Sequence, residues 1–263
     1  MGEIIVCTPR ALPKAKVVAA AAKAIEANPA NQPPTSVVSF AMAGKSLPQF
    51  KISVMVGKRW PASGVRLTVG FLDTPPVALK AKILSHMNAW GKTANVVFKE
   101  SKTDPDVRIA RLDSPPEDSG YWSYVGTDIL SIAADAPTMN LEGFTMKTPT
   151  SEFVRVVRHE TGHTLGFPHE HMRKELVDRI DAAKAIKFFR LTQGWSEKVV
   201  RQQVLTPIEE ASILGTPHAD PNSIMCYQIP GTITKDGKPI IGGVDIDKDD
   251  RAFAASVYPK KVK

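Results

Sequence analysis

Residues 158–170 read Arg-His-Glu-Thr-Gly-His-Thr-Leu-Gly-Phe-Pro-His-Glu, and their spacing governs how the rest of the 263-residue chain is read. On a helix, positions i and i+4 lie one above the other, so His159 and His163 aim two imidazoles at one point. Glu160 reaches the same space as a base without being a ligand. Gly166 permits a sharp turn that a residue with a Cβ resists, and the turn brings His169 back as a third ligand. Three histidines with an open fourth position make a catalytic zinc site, one Zn2+ per chain, rather than a closed structural one. Composition alone produces these five residues at this spacing about once in 100,000 chains of this length. A helix with two surface histidines and a loop histidine is therefore the weaker reading.

Around this string, Thr150 or Ser151 is expected to cap the helix that carries the histidines, and Gly166 to stop it. Upstream, Val65–Leu72, Val96–Lys99 and Val107–Ile109 read as strands, and Val77–Trp90 as a helix with Ile83, Leu84 and Met87 in its stripe. Tyr121–Val125 and Ile129–Ala133 read as two more strands split near Gly126, followed by a loop from Ala136 to Pro149. Downstream, Asp181–Leu191 reads as a helix, Ser196 caps another to about Leu205, and Asp247 caps the last. The first 58 residues differ. Pro13 opens an Ala-rich helix with Val17, Ala21 and Ile25 on one face, Asn28-Pro29 ends it, and Phe50–Val56 alternates like a strand. The domain expectation is thus an N-terminal extension over 1–58, a pro-segment or extra lobe, and a catalytic domain over 59–263. The fold class is mixed α/β: a twisted mixed sheet with a backing helix and the histidine helix above a mostly helical and irregular lower lobe that begins at Gly166.

Further strings extend the pattern. Residues 223–227 read Ser-Ile-Met-Cys-Tyr, a candidate Met-turn of the kind found beneath three-histidine zinc sites. Residues 120–126 read GYWSYVG and residues 246–259 read IDKDDRAFAASVYP. Together with HETGHTLGFPHE, these strings resemble the astacin family of metzincin zinc peptidases over roughly Trp60 to Pro259. The resemblance implies that His159, His163 and His169 bind zinc, that Glu160 is the general base, and that Met225 floors the site. It implies that Tyr227 both ligates zinc and stabilises the oxyanion, and that Glu170 is a buried glutamate bonded near the mature N-terminus. The Trp122–Val125 strand would pair with an extended polypeptide substrate. Cys226 stands where the family usually has histidine, the family's structural disulfides are missing, and no pro-segment of the usual kind is matched.

The function expected is zinc-dependent endopeptidase activity; the alternative is a catalytically silent, zinc-bearing peptide-binding protein on the same scaffold. The intact set of His159, Glu160, His163 and His169 favours the enzyme. Cys7 could act as a latency ligand on the open metal position, with an ordinary buried thiol as the plainer reading. Asp245, Asp247 and Asp249 resemble the start of a calcium loop, but Asp250 and Ser256 stand where Gly and Glu are required, so helix capping explains them better. His171 reads as a supporting or surface residue rather than a ligand; His86 and His218 read as structural or exposed.

Composition bounds the partners. Thirty-four basic against 27 acidic residues leave a net charge of +7, scattered rather than massed, so no nucleic-acid partner is expected. No apolar run approaches the ~18 residues of a membrane span, so no membrane partner is expected either. The two cysteines, Cys7 and Cys226, allow at most one disulfide. A monomer is expected. No Sec signal is visible, which points to the cytoplasm or to export by a signal-independent route.

Overall fold

The computed structural model describes residues 7, 10–33, 57–112, 119–207 and 219–261. The strand expected at 50–56 and His218 lie outside the described residues. The chain divides into two compact units, one spanning Cys7–Phe167 with Ala254–Lys263 and the other Pro168–Phe253.

The larger unit is built on a five-stranded sheet: β1 (Val65–Phe71), β2 (Val96–Glu100), β3 (Val107–Ala110), β4 (Tyr121–Ser123) and β5 (Met139–Leu141), in the order β2-β1-β3-β5-β4. The first four strands in that order run parallel, and β4 runs antiparallel to β5 at the sheet's edge, with Trp122 opposite Asn140. Val65, Leu67 and Val69 of β1 are buried at every second position, as a strand with one face on the core requires.

Helix α1 (Lys14–Ala27) buries Ala20, Ala21 and Ala24, with Val17 and Ile25 half-buried beside them. Asn28 ends it as expected, its side chain accepting from the Ala30 N–H and donating to the Trp60 carbonyl at 2.9 Å. Helix α2 (Val77–Met87) buries Leu79, Ile83 and Met87 and continues as a 3-10 turn over Asn88–Lys92.

Two expectations are corrected. Residues 129–133 are not a strand: Gly126–Ser131 is a 3-10 helix. Gly126 has φ 51°, and a Cβ there would sit 1.7 Å from the Lys58 carbonyl, which instead accepts the Thr127 N–H at 3.0 Å. The buried carboxylate of Asp128 forms an ion pair with the partly exposed Lys58. These long-range contacts curl a segment whose local sequence favours extension. Conversely, the apparent loop after Ala136 contains β5, whose Met139, Asn140 and Leu141 are all buried, so no alternation marks it.

Residues Thr150–Glu152, a π-helical segment Phe153–Val157 and α3 (Arg158–Thr164) form one continuous rod. Pro149 stands at its N-cap and no side chain caps it; Thr150 is already helical. Three indole and phenol groups fix its carbonyl ends. Trp90 Nε1 donates to Arg158 O at 2.9 Å, Trp60 Nε1 to Thr164 O at 2.8 Å and the Tyr258 hydroxyl to Leu165 O at 2.5 Å. The last two satisfy buried backbone acceptors that the helix end would otherwise leave costly. Gly166, at φ 92°, then turns the chain.

The smaller unit is helical and irregular. Its α4 (Ala182–Gln193) starts at Asp181, whose carboxylate accepts from Lys184 N at 3.1 Å, and stops at left-handed Gly194. Ser196 caps the next turn, Glu197–Val200, as expected. The last helix, α5 (Lys248–Val257), is capped by Asp247, which accepts from the Asp249 and Asp250 N–H groups at 2.8 Å. Capping thus accounts for Asp247.

Candidate active site

In the larger unit, α3 presents His159 and His163 side by side, ring centroids 4.8 Å apart and nearly perpendicular. Both are buried, His163 completely. His163 Nδ1 lies 2.8 Å from the Phe167 carbonyl. A carbonyl only accepts, so Nδ1 carries the proton and Nε2 keeps its lone pair for a metal. Cys7 joins them: its sulfur and one nitrogen of each histidine lie within 4.8 Å of one another. Two imidazoles and a thiol are the donor types that zinc prefers, so the residues present fit that ion.

Glu160 is 1% exposed, and burial pushes its carboxyl up to about 7, against smaller opposing effects of hydrogen bonds from Cys7 and Ser123 and the charge of Arg155. Ser123 Oγ of β4 lies 3.0 Å from both the Glu160 carboxylate and its backbone carbonyl. This holds the side chain while leaving it titratable near neutrality, where a general base works best. Burial, then the neighbouring Glu160, pushes the Cys7 thiol well above its ordinary value.

The remaining predicted residues belong to the smaller unit. His169 opens it, and its ring lies 4.3 Å from that of Tyr227. Tyr227 also stacks on His171, 3.9 Å away and within 17° of parallel. His171 Nε2 lies 2.9 Å from the Gln203 carbonyl, and its Nδ1 accepts from the Tyr227 N–H at 3.4 Å. It is a buried prop for Tyr227, not the surface residue that the sequence also allowed. Glu170 Oε1 accepts from Asp220 N at 3.1 Å and pairs with Arg173, while the Glu170 N–H donates to Met225 O at 2.9 Å. Burial raises its pKa.

The Met-turn at 223–227 is tied down by Asp250, whose carboxylate accepts from Ser223 Oγ at 2.6 Å and Ile224 N at 2.9 Å. Ser223 Oγ in turn accepts from Met225 N at 3.0 Å. Neither Ser123 nor Asp250 was assigned a role from spacing, although both stand inside the quoted strings. Their partners are distant in sequence.

Comparison with known proteins gives a consistent result. The family model of Astacin, a peptidase family, matches residues 54–242. The structure of myroilysin superposes with a TM-score of 0.71 at 28% identity, covering 78% of this chain and 97% of that one. High choriolytic enzyme 1, a hatching enzyme zinc-protease from Oryzias latipes, shares the fold at 18% identity and a TM-score of 0.51, covering 80% of this chain and 96% of that one. Zinc metalloproteinase nas-27 of Caenorhabditis elegans is 30% identical over 99 residues, 37% of this chain, and the match spans 20% of that relative's length. No described helix is long and apolar enough to cross a membrane. The chain belongs to the astacin peptidase family.

Proposed function

We propose that this chain hydrolyses internal peptide bonds of polypeptides, with one zinc ion held by His159, His163 and His169 and with Glu160 as general base. The observation that carries this reading is the buried pair His159 and His163 beside a carboxyl at about 7, on a helix inside the family match. Zinc, when bound, acidifies a water and polarises the scissile carbonyl. Glu160 takes the water's proton as it attacks and passes it to the leaving amine. Ser123 keeps the carboxylate aimed during both transfers. The Tyr227 hydroxyl donates to the oxyanion and serves as a further zinc ligand between turnovers, positioned by its stack on His171. The domain division into an extension over 1–58 and a catalytic domain over 59–263 belongs to the same reading.

The test compares cleavage of an unfolded polypeptide at neutral pH by the wild type, Glu160→Ala, Cys7→Ala and Cys7→Ala/Glu160→Ala chains, with zinc measured in each. Cleavage that requires Glu160, at about one zinc per chain throughout, is the expected result. Zinc in all four with cleavage by none would leave the silent peptide-binding alternative.

A further inference from the structure

Resting on the peptidase reading above, we infer that Trp122 and Tyr124 form a subsite for a cationic side chain of the polypeptide substrate. Their rings, and not the strand's backbone alone, then select what is cleaved. Strand β4 ends the sheet order, so its outer edge is where an extended chain adds backbone hydrogen bonds. The protein's own residues show how a chain lies there. Cys7 bridges to Tyr121 and Arg10 to Tyr124, both in parallel sense, and the Arg10 N–H donates to Ser123 O at 3.1 Å.

The two faces of β4 differ, because successive side chains of a strand point to opposite sides. On one face Tyr121 packs its ring on Phe144, centroids 5.5 Å apart, and Ser123 reaches Glu160. On the other face Trp122 and Tyr124 meet edge to face, centroids 6.0 Å apart and planes at 84°. The Arg10 guanidinium lies over the Trp122 ring, 4.5 Å from its centroid. An indole face carries negative charge density and attracts a cation more strongly than any other side-chain ring. A guanidinium is planar and weakly hydrated, so it lies on that ring at a smaller cost in lost water than an ammonium. A carboxylate in the same place would meet the negative face of the indole.

The register says where in the substrate this cation falls. The Cys7 sulfur and one nitrogen each of His159 and His163 lie within 4.8 Å of one another, so Cys7 marks the level of the metal along the edge. Arg10 is three residues further on, about 10 Å along an extended chain, and by that odd offset points to the opposite face. A substrate that adds in the antiparallel sense, the more stable pairing, runs against residues 7–10. The Trp122 ring then underlies the third or fourth residue on the amino-terminal side of the scissile bond. Arginine is the side chain preferred there, followed by lysine.

The experiment profiles cleavage of a peptide library made from a cell proteome with a Glu-specific protease, so that Arg and Lys remain inside the peptides. Products are read by mass spectrometry. The enzyme is the full chain in a Cys7→Ala/Arg10→Ala background, which leaves the ring to the library, alone and with Trp122→Leu or Trp122→Phe. Arg and Lys are expected at the third or fourth residue before the cut about fivefold above their frequency in the library, the ratio that ~1 kcal/mol gives. Trp122→Leu is expected to lose this enrichment while still cutting, and Trp122→Phe, which keeps a ring, to retain part of it. A Trp122 that serves packing alone would slow the cleavage of all peptides alike and leave the enrichment as it was, which overturns the inference. No enrichment in the background chain also overturns it and leaves the peptidase standing. No cleavage by any chain overturns the peptidase reading itself. Should Trp122→Leu fail to fold, the background profile and its weakening in Trp122→Phe still decide the matter.

Discussion

Each unit buries a cysteine beside carboxyl groups, and the two neighbourhoods are built for different ends. Cys7 sits by Glu160, His159 and His163. Cys226 sits near Glu170, Asp220 and Asp250, and burial followed by their charge pushes its thiol far up. The difference lies in what the carboxylates are committed to. Asp250 takes the Ser223 hydroxyl and the Ile224 and Asp247 N–H groups and so holds the Met-turn, while Glu170 takes the Asp220 N–H and pairs with Arg173. Glu160 takes hydrogen bonds from side chains alone, Ser123 and Cys7. A carboxylate that takes backbone donors is tied to the fold; one held by side chains alone next to imidazoles is free to exchange a proton.

That contrast can be tested in stages. Glu160→Ala should lower peptidase activity by about 10²–10⁴-fold, measured in the Cys7→Ala background, with zinc content unchanged. Equal activity in both would show that Glu160 is no more committed to chemistry than Asp250. Chelating the metal should lower the melting temperature, because an ion present at about a thousand times its Kd stabilises the folded state by ~4 kcal/mol. An unchanged melting curve after complete metal removal would count against a built metal site.

The third test concerns pH. Burial pushes Asp250 up to about 6 from an ordinary 3.8, so between these values the folded chain holds a proton that the unfolded chain has lost. Stability from this group is therefore greatest below the lower value and falls as pH rises through the upper, by about 3 kcal/mol in all. Thermal melts from pH 4 to 7 should show the decline in wild type and a flatter profile in Asp250→Asn; parallel profiles would remove the structural reading of this acid. Smaller still, Cys226→Ala should cost about 1 kcal/mol by leaving a small void. Scanning calorimetry would check it; a loss as large as that from Asp250→Asn would give the thiol a share in holding the Met-turn.

Local patterns made much of the fold readable. The alternation in β1, the stripe of α2, the Ala-rich α1 and the caps at Asp181, Ser196 and Asp247 all act within a few residues, which is the range over which sequence periodicity carries information. The failures occur where distant contacts decide. The 3-10 turn at Gly126–Ser131 depends on the carbonyl and ammonium of Lys58, and β5 is too short and too fully buried to alternate. The π-helical segment Phe153–Val157 ahead of α3 had no sequence signal, since an ordinary helix has the same apolar spacing there.

For the candidate site, the surrounding strings were read through their resemblance to a peptidase family, whereas spacing was enough to establish that His159, Glu160 and His163 share one helix face and that Gly166 turns the chain. These follow from the fixed 3.6-residue period and from glycine's access to positive φ. It took the packed chain to bring Ser123 onto Glu160, to tie the Met-turn to Asp250, and to lay Cys7 and Arg10 along β4 with the thiol beside two histidines. No spacing rule links residues so far apart, because their meeting depends on sheet order and burial, which are properties of the whole packed unit.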